Sequence, residues 1–518
     1  MKHLTLFAAG GIAAMALIAA AAPARAETQL NVGMAAADLG SLDPHRSATT
    51  QDKAVIGWMF NGLVRFKPGT INPEQIEPDL ANTWESTPDQ LTWTFHLRHG
   101  VQCNNGFGEL TSDDVVFSLK RAANPKTSAF SSDFADIASI EAPDPYTVQV
   151  KFKKHIPAAL GLFTNYQGGN IVCKKAVEKL GADFRTKAVG TGPFAIAEYD
   201  PSQSVTLVAN KSYFRGAPKI DRIVYRYIQS DASRDLAYSS GEIDLIYGRQ
   251  DQVWAQRMQS QPHTVVDVFG PAELSDISLN ITKKPLDDLR VRQAIAYAIN
   301  RDELVKFKGA MTASAAVSII PHGYLGTDEH APLYPYDPAK AKQLLAAAGY
   351  PNGVTIKAIQ TSFPSMLNTM QIVQAQLKKV GIDLQLDVVD HPTFHAQIRK
   401  DLSEVVLYSA GRFPVADVYL TQFFHSRSIV NTPTAVTNFS HCGMADQEID
   451  AARDATDLAK QKALWKTAQD KLVEAVCAVP TYEQLQVWAH RDKLDFGYKL
   501  EASLTLGPII NETTTLKP

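Results

Sequence analysis

The chain has 518 residues, more than the roughly 250–300 residues at which a single hydrophobic core stops growing, so we expect at least two lobes. Hydrophobic residues make up 45% and charged residues 20% of the chain, a composition that excludes a disordered protein and an integral membrane protein. The 51 basic and 54 acidic residues give a net charge of −3 without a long basic run, so no nucleic-acid partner is expected.

Residues 1–26 have the pattern of a cleavable signal peptide. A short basic start, MKHL, precedes the apolar run TLFAAGGIAAMALIAAAA, and Ala24-Arg25-Ala26 fits the small-x-small rule for cleavage. The sequence therefore predicts cleavage after Ala26 and a mature protein in the periplasm. The alternative is an uncleaved membrane anchor, which the weakly hydrophobic, alanine-rich stretch disfavours. Because the first cysteine is Cys103, a lipid-modified N-terminal cysteine is not expected.

Four cysteines in an exported chain predict two disulfides. The pairing Cys103–Cys173 with Cys442–Cys477 keeps each bridge within one region and is preferred. The two other pairings, and buried free thiols, remain open. No two cysteines have C-x-x-C spacing, so a redox motif or a zinc ribbon is not indicated.

The first half of the chain combines many predicted strands with few helices. Alternation of apolar and polar residues predicts strands at 28–35, 91–101 and 145–153 and a hairpin at 194–200 and 204–210. The segment SDDVVFSLKRAAN predicts a helix at 112–124 that Ser112 caps, with two aspartates in its positive first turn.

The second half alternates between helices and strands. A long amphipathic helix is predicted at 289–307 and another helix at 337–350. A parallel sheet built from βαβ units is then predicted from strands and helices at 353–359, 365–380, 381–389, 392–402 and 403–409. The last long helix is predicted at 446–476, and the chain returns to short strands such as 485–490. This order indicates an α/β protein whose chain returns to its first lobe near the end.

The sequence contains no recognisable catalytic set. The GTGP run at 190–193 precedes a strand instead of a helix and has no Gly-Lys-Ser/Thr, so we interpret it as a turn. There is no G-x-S-x-G nucleophile motif. His96 and His99 face opposite sides of a strand, whereas His391 and His395 are four apart where a helix begins and could share a metal ion only with a third ligand.

Ordered motifs along nearly the whole mature chain indicate a family. They are LDP (42–44), PDLANTWESTPDQLTWTFHLRHGV (78–101), LTSDDVVFSLKRA (110–122), VGTGPFAIAEY (189–199), GEIDL (241–245), NITKKPLDDLRVRQAIAYAINRDEL (280–304) and YDPAKAKQLLAAAGYPNG (336–353). Together they closely resemble the extracytoplasmic solute-binding proteins of the dipeptide, oligopeptide and nickel ABC importers, bacterial extracellular solute-binding protein family 5.

This resemblance implies a two-lobed α/β periplasmic-binding-protein fold with a hinge and an extra subdomain in the larger first lobe. The lobes of such proteins close over one ligand and dock on membrane permease subunits, without cofactor and without chemistry on the ligand. A monomer is expected. The implied organisation is a signal peptide at 1–26, lobe I at 27–278, lobe II at 279–481 and a return to lobe I at 482–518.

Arg412 follows the predicted strand 403–409, in the sequence YSAGRFPVAD (408–417). Ligands of open α/β sheets lie beyond the carboxyl ends of the strands, so this loop is expected at the ligand cleft. Peptide-binding relatives typically have a Trp and then an Asp in this loop. Aligning FPVADVYLTQFF (413–424) with the loop of the family places Ser409 at the position of the Trp and Arg412 at the position of the Asp. The charge is therefore inverted, which disfavours a ligand ammonium group and favours a carboxylate held by a bidentate guanidinium.

We therefore expect a small organic acid or an anionic conjugate anchored by Arg412. The other candidate ligand contacts are Phe413, Tyr408, Gly411, Tyr247 and Tyr166. Alternatively, Arg412 forms a salt bridge with Asp417 or with a carboxylate of the first lobe.

A shift of one residue in the loop alignment would instead make Asp417 an ammonium partner and restore a di- or oligopeptide ligand. A metal or haem ligand has only the His391 and His395 pair in its favour. An exported hydrolase is a remote alternative, because no activated nucleophile is evident in the sequence.

Overall fold

The computed structural model describes residue 1 and residues 27–47, 49–431 and 437–517. Apart from Met1, the predicted signal peptide lies outside the described residues. Within them, the α-helices are α1 (Thr50–Ile56), α2 (Ser112–Ala122), α3 (Lys174–Leu180), α4 (Asp231–Ser239), α5 (Gln252–Gln259), α6 (Leu289–Ala298), α7 (Arg301–Lys308), α8 (Pro338–Ala347), α9 (Pro364–Lys378), α10 (His391–Ile398), α11 (Ala416–Phe424), α12 (Asp446–Asp454) and α13 (Leu458–Glu474).

The strands of the described residues form one large sheet and four small ones. They are β1 (Gln29–Met34), β2 (Val64–Phe66), β3 (Ile76–Pro78), β4 (Ala81–Ser86), β5 (Thr92–Leu97), β6 (Gln102–Cys103), β7 (Gly108–Glu109), β8 (Ile137–Asp144), β9 (Thr147–Phe152), β10 (Phe194–Asp200), β11 (Ser204–Ala209), β12 (Arg222–Tyr227), β13 (Leu245–Tyr247), β14 (Thr264–Leu279), β15 (Ala313–Ala315), β16 (Val354–Thr361), β17 (Ile382–Val389), β18 (Val405–Ala410), β19 (Ala478–Arg491), β20 (Leu494–Asp495) and β21 (Thr515–Leu516).

The large sheet has the strand order β10-β11-β12-β1-β13-β19-β14-β18-β16-β17, and β15 pairs with β19 at its side. The predicted βαβ segment is confirmed, since β16 is parallel to both β17 and β18. The predicted hairpin is also confirmed, as β10 and β11 pair antiparallel. A separate antiparallel sheet, β4-β5-β9-β8, contributes to the first lobe.

Two long strands, β14 and β19, pair antiparallel at the centre of the large sheet and connect the lobes. Lobe I has one large core, to which Phe269 of β14 and Trp488 of β19 belong. Lobe II has two main cores, to which Leu274 and Tyr482 of the same strands belong. The packing therefore changes between these positions, where the β14–β19 register is also interrupted. The exact lobe boundaries at 278 and 481 stay a prediction.

Two predicted long helices are each divided in the structure. The helix expected at 289–307 is α6 followed by α7, because the side chain of Asn300 caps α7 by accepting from the Glu303 N–H at 3.1 Å. The helix expected at 446–476 is α12 followed by α13, where Asp457 caps α13. In both cases a capping residue within the apolar pattern starts a new helix.

Two further local predictions are corrected. Helix α2 is capped at Thr111 and not at Ser112, whose hydroxyl instead donates to the carbonyl of Asp144 at 2.7 Å. The last strand is also longer than predicted: β19 begins before Pro480, which sits where the ladder to β14 changes register. A proline is tolerated at such an irregularity because it has no N–H to pair.

Two disulfides cross-link the structure, Cys103–Cys173 and Cys442–Cys477. The first joins β6 to the residue that precedes α3 in lobe I. The second joins the residues on either side of the α12–α13 helical hairpin in lobe II. Each bridge therefore stays within one lobe and leaves the lobes free to move relative to one another.

Candidate ligand cleft between the lobes

A cavity of about 430 Å³ lies between the two lobes. Lobe I contributes Lys53, Ala129, Phe130, Asp133, Phe134, Asp136, Ile156, Pro157, Ala158, Gly161, Leu162, Tyr166, Gln167 and Gly168, and lobe II contributes Gly411, Arg412, Phe413, Asp417, Val418, Thr421, Gln422, Arg427 and Arg453. Of the six ligand contacts expected from the sequence, the structure brings four to this cavity: Tyr166, Gly411, Arg412 and Phe413.

The loop that carries Arg412 follows β18 directly and is held by Tyr324. The Tyr324 hydroxyl donates to the carbonyl of Arg412 at 2.8 Å and accepts from its N–H at 2.9 Å. The Leu325 N–H donates to the carbonyl of Pro414 at 3.0 Å. The backbone of the loop is thus fixed on both sides of the arginine within lobe II.

The guanidinium of Arg412 is oriented by neutral groups. Its Nε donates to Oε1 of Gln422 at 2.6 Å, and its Nη1 donates to the carbonyl of Gly411 at 2.9 Å. The Phe423 ring centroid lies 5.0 Å from its Cζ. Within the described part of the chain, Nη2 has no hydrogen-bond partner and no carboxylate lies within 4.0 Å of the group. The positive charge is therefore positioned without being directly paired.

Lys53 brings a cation of lobe I to the same cavity, from helix α1. Its ammonium lies 5.6 Å from the centroid of the Tyr166 ring. Burial and the neighbouring Arg412 charge lower the pKa of Lys53 to about 8, and Glu273 acts in the opposite direction. The same two cations oppose the effect of burial on Glu273, whose pKa is nevertheless raised. The charges of Lys53, Arg412 and Glu273 therefore interact with one another at this end of the cavity.

Asp417 lies in the cavity but does not pair with Arg412. Arg453 binds it through the Nε–Nη2 edge of the guanidinium, at 3.0 Å from Nη2 to Oδ1 and 3.4 Å from Nε to Oδ2. The expected alternative of an Arg412–Asp417 salt bridge is therefore wrong. Because the carboxylate of Asp417 is already engaged by an arginine, a ligand ammonium group would have to compete with that pair.

Tyr408 and Tyr247 do not line the cavity. The Tyr408 ring packs among aromatic neighbours of lobe II, with the ring centroid of Phe439 at 5.2 Å and that of Phe423 at 6.1 Å. The Tyr247 ring packs edge-on against Trp488 at 5.3 Å between centroids. Burial and the nearby Glu273 raise the pKa of Tyr247 to about 12. Both tyrosine rings therefore pack against other aromatic side chains and do not face the cavity.

Sequence analysis did not identify Lys53, which the fold brings to the cleft from a segment 359 positions before Arg412 (412 − 53). The sequence feature that marks Lys53 is its place as the single basic residue in the run KAVIGWMF, in which all the remaining residues are buried. Gln422 and Tyr324, which orient Arg412, were also missed. Neither residue belongs to a motif, and their function depends on contacts that only the folded chain makes.

The His391 and His395 side chains do come together, with 3.2 Å between their Nε2 atoms. His391 Nδ1 also lies 3.0 Å from the Thr361 hydroxyl. Over the described residues, no group of three or more His, Cys, Asp or Glu side chains converges as a metal site would require.

A cleft between two α/β lobes that are joined by paired strands is the arrangement found in periplasmic solute-binding proteins. The family model of the bacterial extracellular solute-binding proteins, family 5, matches residues 75–431, and the chain belongs to this family. Members of this family are extracytoplasmic substrate-binding components of ABC importers, not enzymes. Where the chain is described, no helix has the length and apolar character needed to cross a membrane.

Several relatives cover nearly the whole chain. The glutathione-binding protein GsiB of Escherichia coli O1:K1 / APEC is 28% identical over 519 residues, which cover 96% of this chain and 98% of that protein. Among solved structures, the binding protein MoaA of A. tumefaciens R10 in complex with mannopinic acid is 48% identical, with a TM-score of 0.83 over 95% of this chain and 100% of that one.

Two more distant structures have different ligands. AgaA of A. tumefaciens R10, in complex with agropinic acid, is 26% identical with a TM-score of 0.77, over 95% of this chain and 99% of that one. DppA of Helicobacter pylori, in complex with the peptide STSA, is 26% identical with a TM-score of 0.78, over 95% of this chain and 98% of that one. The shared fold thus accommodates acids and peptides, so the residues of the cleft must distinguish between them.

Proposed function

We propose that this substrate-binding component of an ABC importer captures a small organic acid or an anionic conjugate, whose carboxylate binds to Arg412. The observation that carries the proposal is the state of the Arg412 guanidinium: it lines the cleft, Gln422 and Phe423 orient it, and no described carboxylate pairs with it. A planar, fixed guanidinium binds a carboxylate through two parallel hydrogen bonds.

Lys53 adds a second reason to favour an anion. Burial is the main cause of the lowered pKa of Lys53 in the free protein, and repulsion by the Arg412 charge adds to it. A carboxylate bound between them would turn this repulsion into two attractions in a partly desolvated cleft. In this proposal the Tyr166 ring, which lies beside Lys53, forms part of the wall around the ligand.

The similarity to MoaA supports an acid as the ligand. MoaA was solved with mannopinic acid and is 48% identical to this chain, whereas the peptide-bound DppA is 26% identical. A di- or oligopeptide is the second candidate, because peptide and glutathione binders also have this fold. It is less favoured because Asp417, the candidate ammonium partner, already pairs with Arg453.

The remaining features of the proposal follow from the sequence and the family. The chain is exported by the signal peptide at residues 1–26, is cleaved after Ala26, and acts in the periplasm as a monomer. The proposed lobes are residues 27–278 with 482–518 and residues 279–481, and both boundaries fall within β14 and β19, where Leu274 and Tyr482 already pack in the lobe II cores. The closed form delivers its ligand to the separate permease subunits of the importer.

Thermal unfolding of the processed protein tests the ligand class. Carried-over ligand is first removed by unfolding and refolding under non-reducing conditions. Mannopinic acid, agropinic acid, glutathione and dipeptides are then added separately. A ligand at 100 times its dissociation constant stabilises by about 2.7 kcal/mol, which raises the midpoint by a few degrees in a protein of this size. We expect the acids to raise it and the dipeptides not to.

Variants of Arg412 test the anchor. Arg412→Ala should weaken acid binding by at least about tenfold, because charged hydrogen bonds contribute about 1.5–3 kcal/mol. Arg412→Lys should be intermediate, since it keeps the charge but not the planar fork. The matched control is Arg226→Ala, which removes a surface arginine that pairs with the exposed Glu242. Dipeptide binding that Arg412→Ala leaves unchanged would overturn the proposal.

A further inference from the structure

The ring of Phe413, carried by lobe II, crosses the cleft and packs on Gly161 of lobe I. A Cβ atom built on Gly161 would overlap the Cζ and Cε1 atoms of Phe413. The ring also lies 6.0 Å from the Phe66 ring of lobe I, measured between centroids. At this contact the Phe413 ring of lobe II therefore occupies the space that a side chain at position 161 of lobe I would fill.

The backbone conformation at position 161 does not require a glycine. Its φ angle is not among the positive values, so an alanine would be conformationally acceptable there. The residue lies in a short 3-10 helix, and its carbonyl accepts from the Thr164 hydroxyl at 2.8 Å. The space that Phe413 occupies is therefore the structural reason for a glycine at this position.

Neither partner can withdraw easily. The Phe413 loop is fixed within lobe II by Tyr324 and by the Leu325–Pro414 hydrogen bond, and the ring packs against the lobe II core. Gly161 is fixed by the helix that carries it. An added methyl group would require either that the Phe413 ring turn or that the lobes move apart, and the packing of the ring against the lobe II core opposes the first response.

We infer that Phe413 is a positioning residue for lobe closure: its ring seats on Gly161 and sets how closely the lobes approach. This assignment differs from the direct ligand contact that the sequence led us to expect for Phe413. It does not depend on the identity of the ligand, since both partners belong to the protein.

Cross-linking of the lobes measures closure without any ligand. Glu74 of lobe I and Lys462 of lobe II form an ion pair of 3.4 Å across the lobes, which makes them suitable positions for a cysteine pair. The described cysteines are all in disulfides, so the pair Glu74→Cys and Lys462→Cys offers the thiols to a short bismaleimide. The rate of the intramolecular cross-link then reports how often the lobes close.

In this cysteine-pair background we expect Gly161→Ala to slow the cross-link by about tenfold, the fold-change that overpacking of this kind produces. Phe413→Leu lacks the outer ring atoms, and adding it to Gly161→Ala should restore most of the rate. Phe413→Trp, with Gly161 intact, should slow the cross-link from the other side. An unchanged midpoint of thermal unfolding would show that Gly161→Ala leaves the lobes themselves folded.

The same variants separate closure from ligand stacking. If Phe413 acts by stacking on the ligand, Gly161→Ala will cross-link at the parental rate, or Phe413→Leu will not rescue it, and either result overturns the inference. Affinity for mannopinic acid should follow the same order as the cross-linking rates. If the parental protein binds no acid, the proposed ligand class is wrong, whereas the cross-linking comparison still decides the role of Phe413.

Discussion

Lys53 and Arg412, two of the four described cationic side chains that line the candidate ligand cleft, differ in their chemistry. An arginine guanidinium carries a fixed charge in proteins, whereas the pKa of Lys53 is lowered to about 8. The fixed charge provides directional binding through its planar fork, and the titrating charge adds attraction that depends on pH. The two side chains come from different lobes, so an anion held between them also favours the closed form.

The affinity for an anionic ligand should therefore fall as the pH rises through about 8. Below this pH Lys53 is protonated and attracts the carboxylate; above it the neutral amine does not. Because binding favours the protonated form, the complex should take up protons near pH 8. Calorimetry with mannopinic acid between pH 6.5 and 9.5 should show a loss of about tenfold in affinity, in line with the contribution of one charged hydrogen bond.

Lys53→Met provides the comparison for this pH dependence. It removes the ammonium group but keeps most of the apolar side chain beside Tyr166. The variant should bind mannopinic acid more weakly at pH 7 and with little change up to pH 9.5. A wild-type affinity that is constant across this range would mean that the Lys53 ammonium does not contact the anion.

The α12–α13 hairpin shows how a disulfide supports an element of lobe II. Cys442 precedes α12, Cys477 follows α13, and both are fully buried. The bridge thus joins the two open ends of the hairpin. Its 35-residue separation limits the freedom of this segment in the unfolded chain, which is the main source of disulfide stabilisation in the chain-entropy model.

Removing this bridge should lower the free energy of unfolding by about 3–4 kcal/mol. The Cys442→Ala/Cys477→Ala variant is compared with wild type by denaturant unfolding without ligand. The Cys103→Ala/Cys173→Ala variant serves as the second comparison, and its larger separation of 70 residues should make its loss slightly larger. If the Cys442 variant unfolds at the wild-type midpoint, packing alone holds the hairpin.

Helices and strands were predicted well where the periodic spacing of apolar residues was clear. They were predicted less well where one apolar pattern continued across two successive elements. The βαβ segment from β16 to β18 was predicted because each apolar run has its own length and flanking turn. The split between α6 and α7 was missed because the apolar spacing continues across Asn300. Only the capping chemistry of Asn300 and Glu303 marks the new helix start.

Local sequence patterns were similarly limited in predicting the ligand cleft, which residues of both lobes form. Arg412 was predicted because it follows a strand of a parallel sheet, a position that sequence order reveals. Lys53 was not predicted because its place depends on how lobe I faces lobe II. Phe413 was predicted to reach the cleft, and it does so by contacting Gly161 of the other lobe. A linear pattern identifies the edge of a lobe but not what lies opposite it.

The paired strands β14 and β19 are the element through which the lobes can move. Their register is interrupted between Phe269 and Glu273, where the packing changes from lobe I to lobe II. Contacts beyond these strands include His155, whose Nδ1 lies 2.6 Å from the carbonyl oxygen of Arg453 in the other lobe. Closure therefore depends on the contacts across the cleft, to which a ligand that binds both lobes adds its own.

A ligand-dependent change in overall dimensions should follow. Small-angle X-ray scattering of ligand-free wild type should give a larger radius of gyration than the same protein with saturating mannopinic acid. Arg412→Ala at the same acid concentration should keep the larger value, because it lacks the lobe II anchor that couples binding to closure. Arg226→Ala, which removes a charge from the surface of lobe I, should contract like wild type. Equal radii for wild type with and without bound acid would mean that closure does not accompany binding, and the role of Arg412 would be confined to affinity.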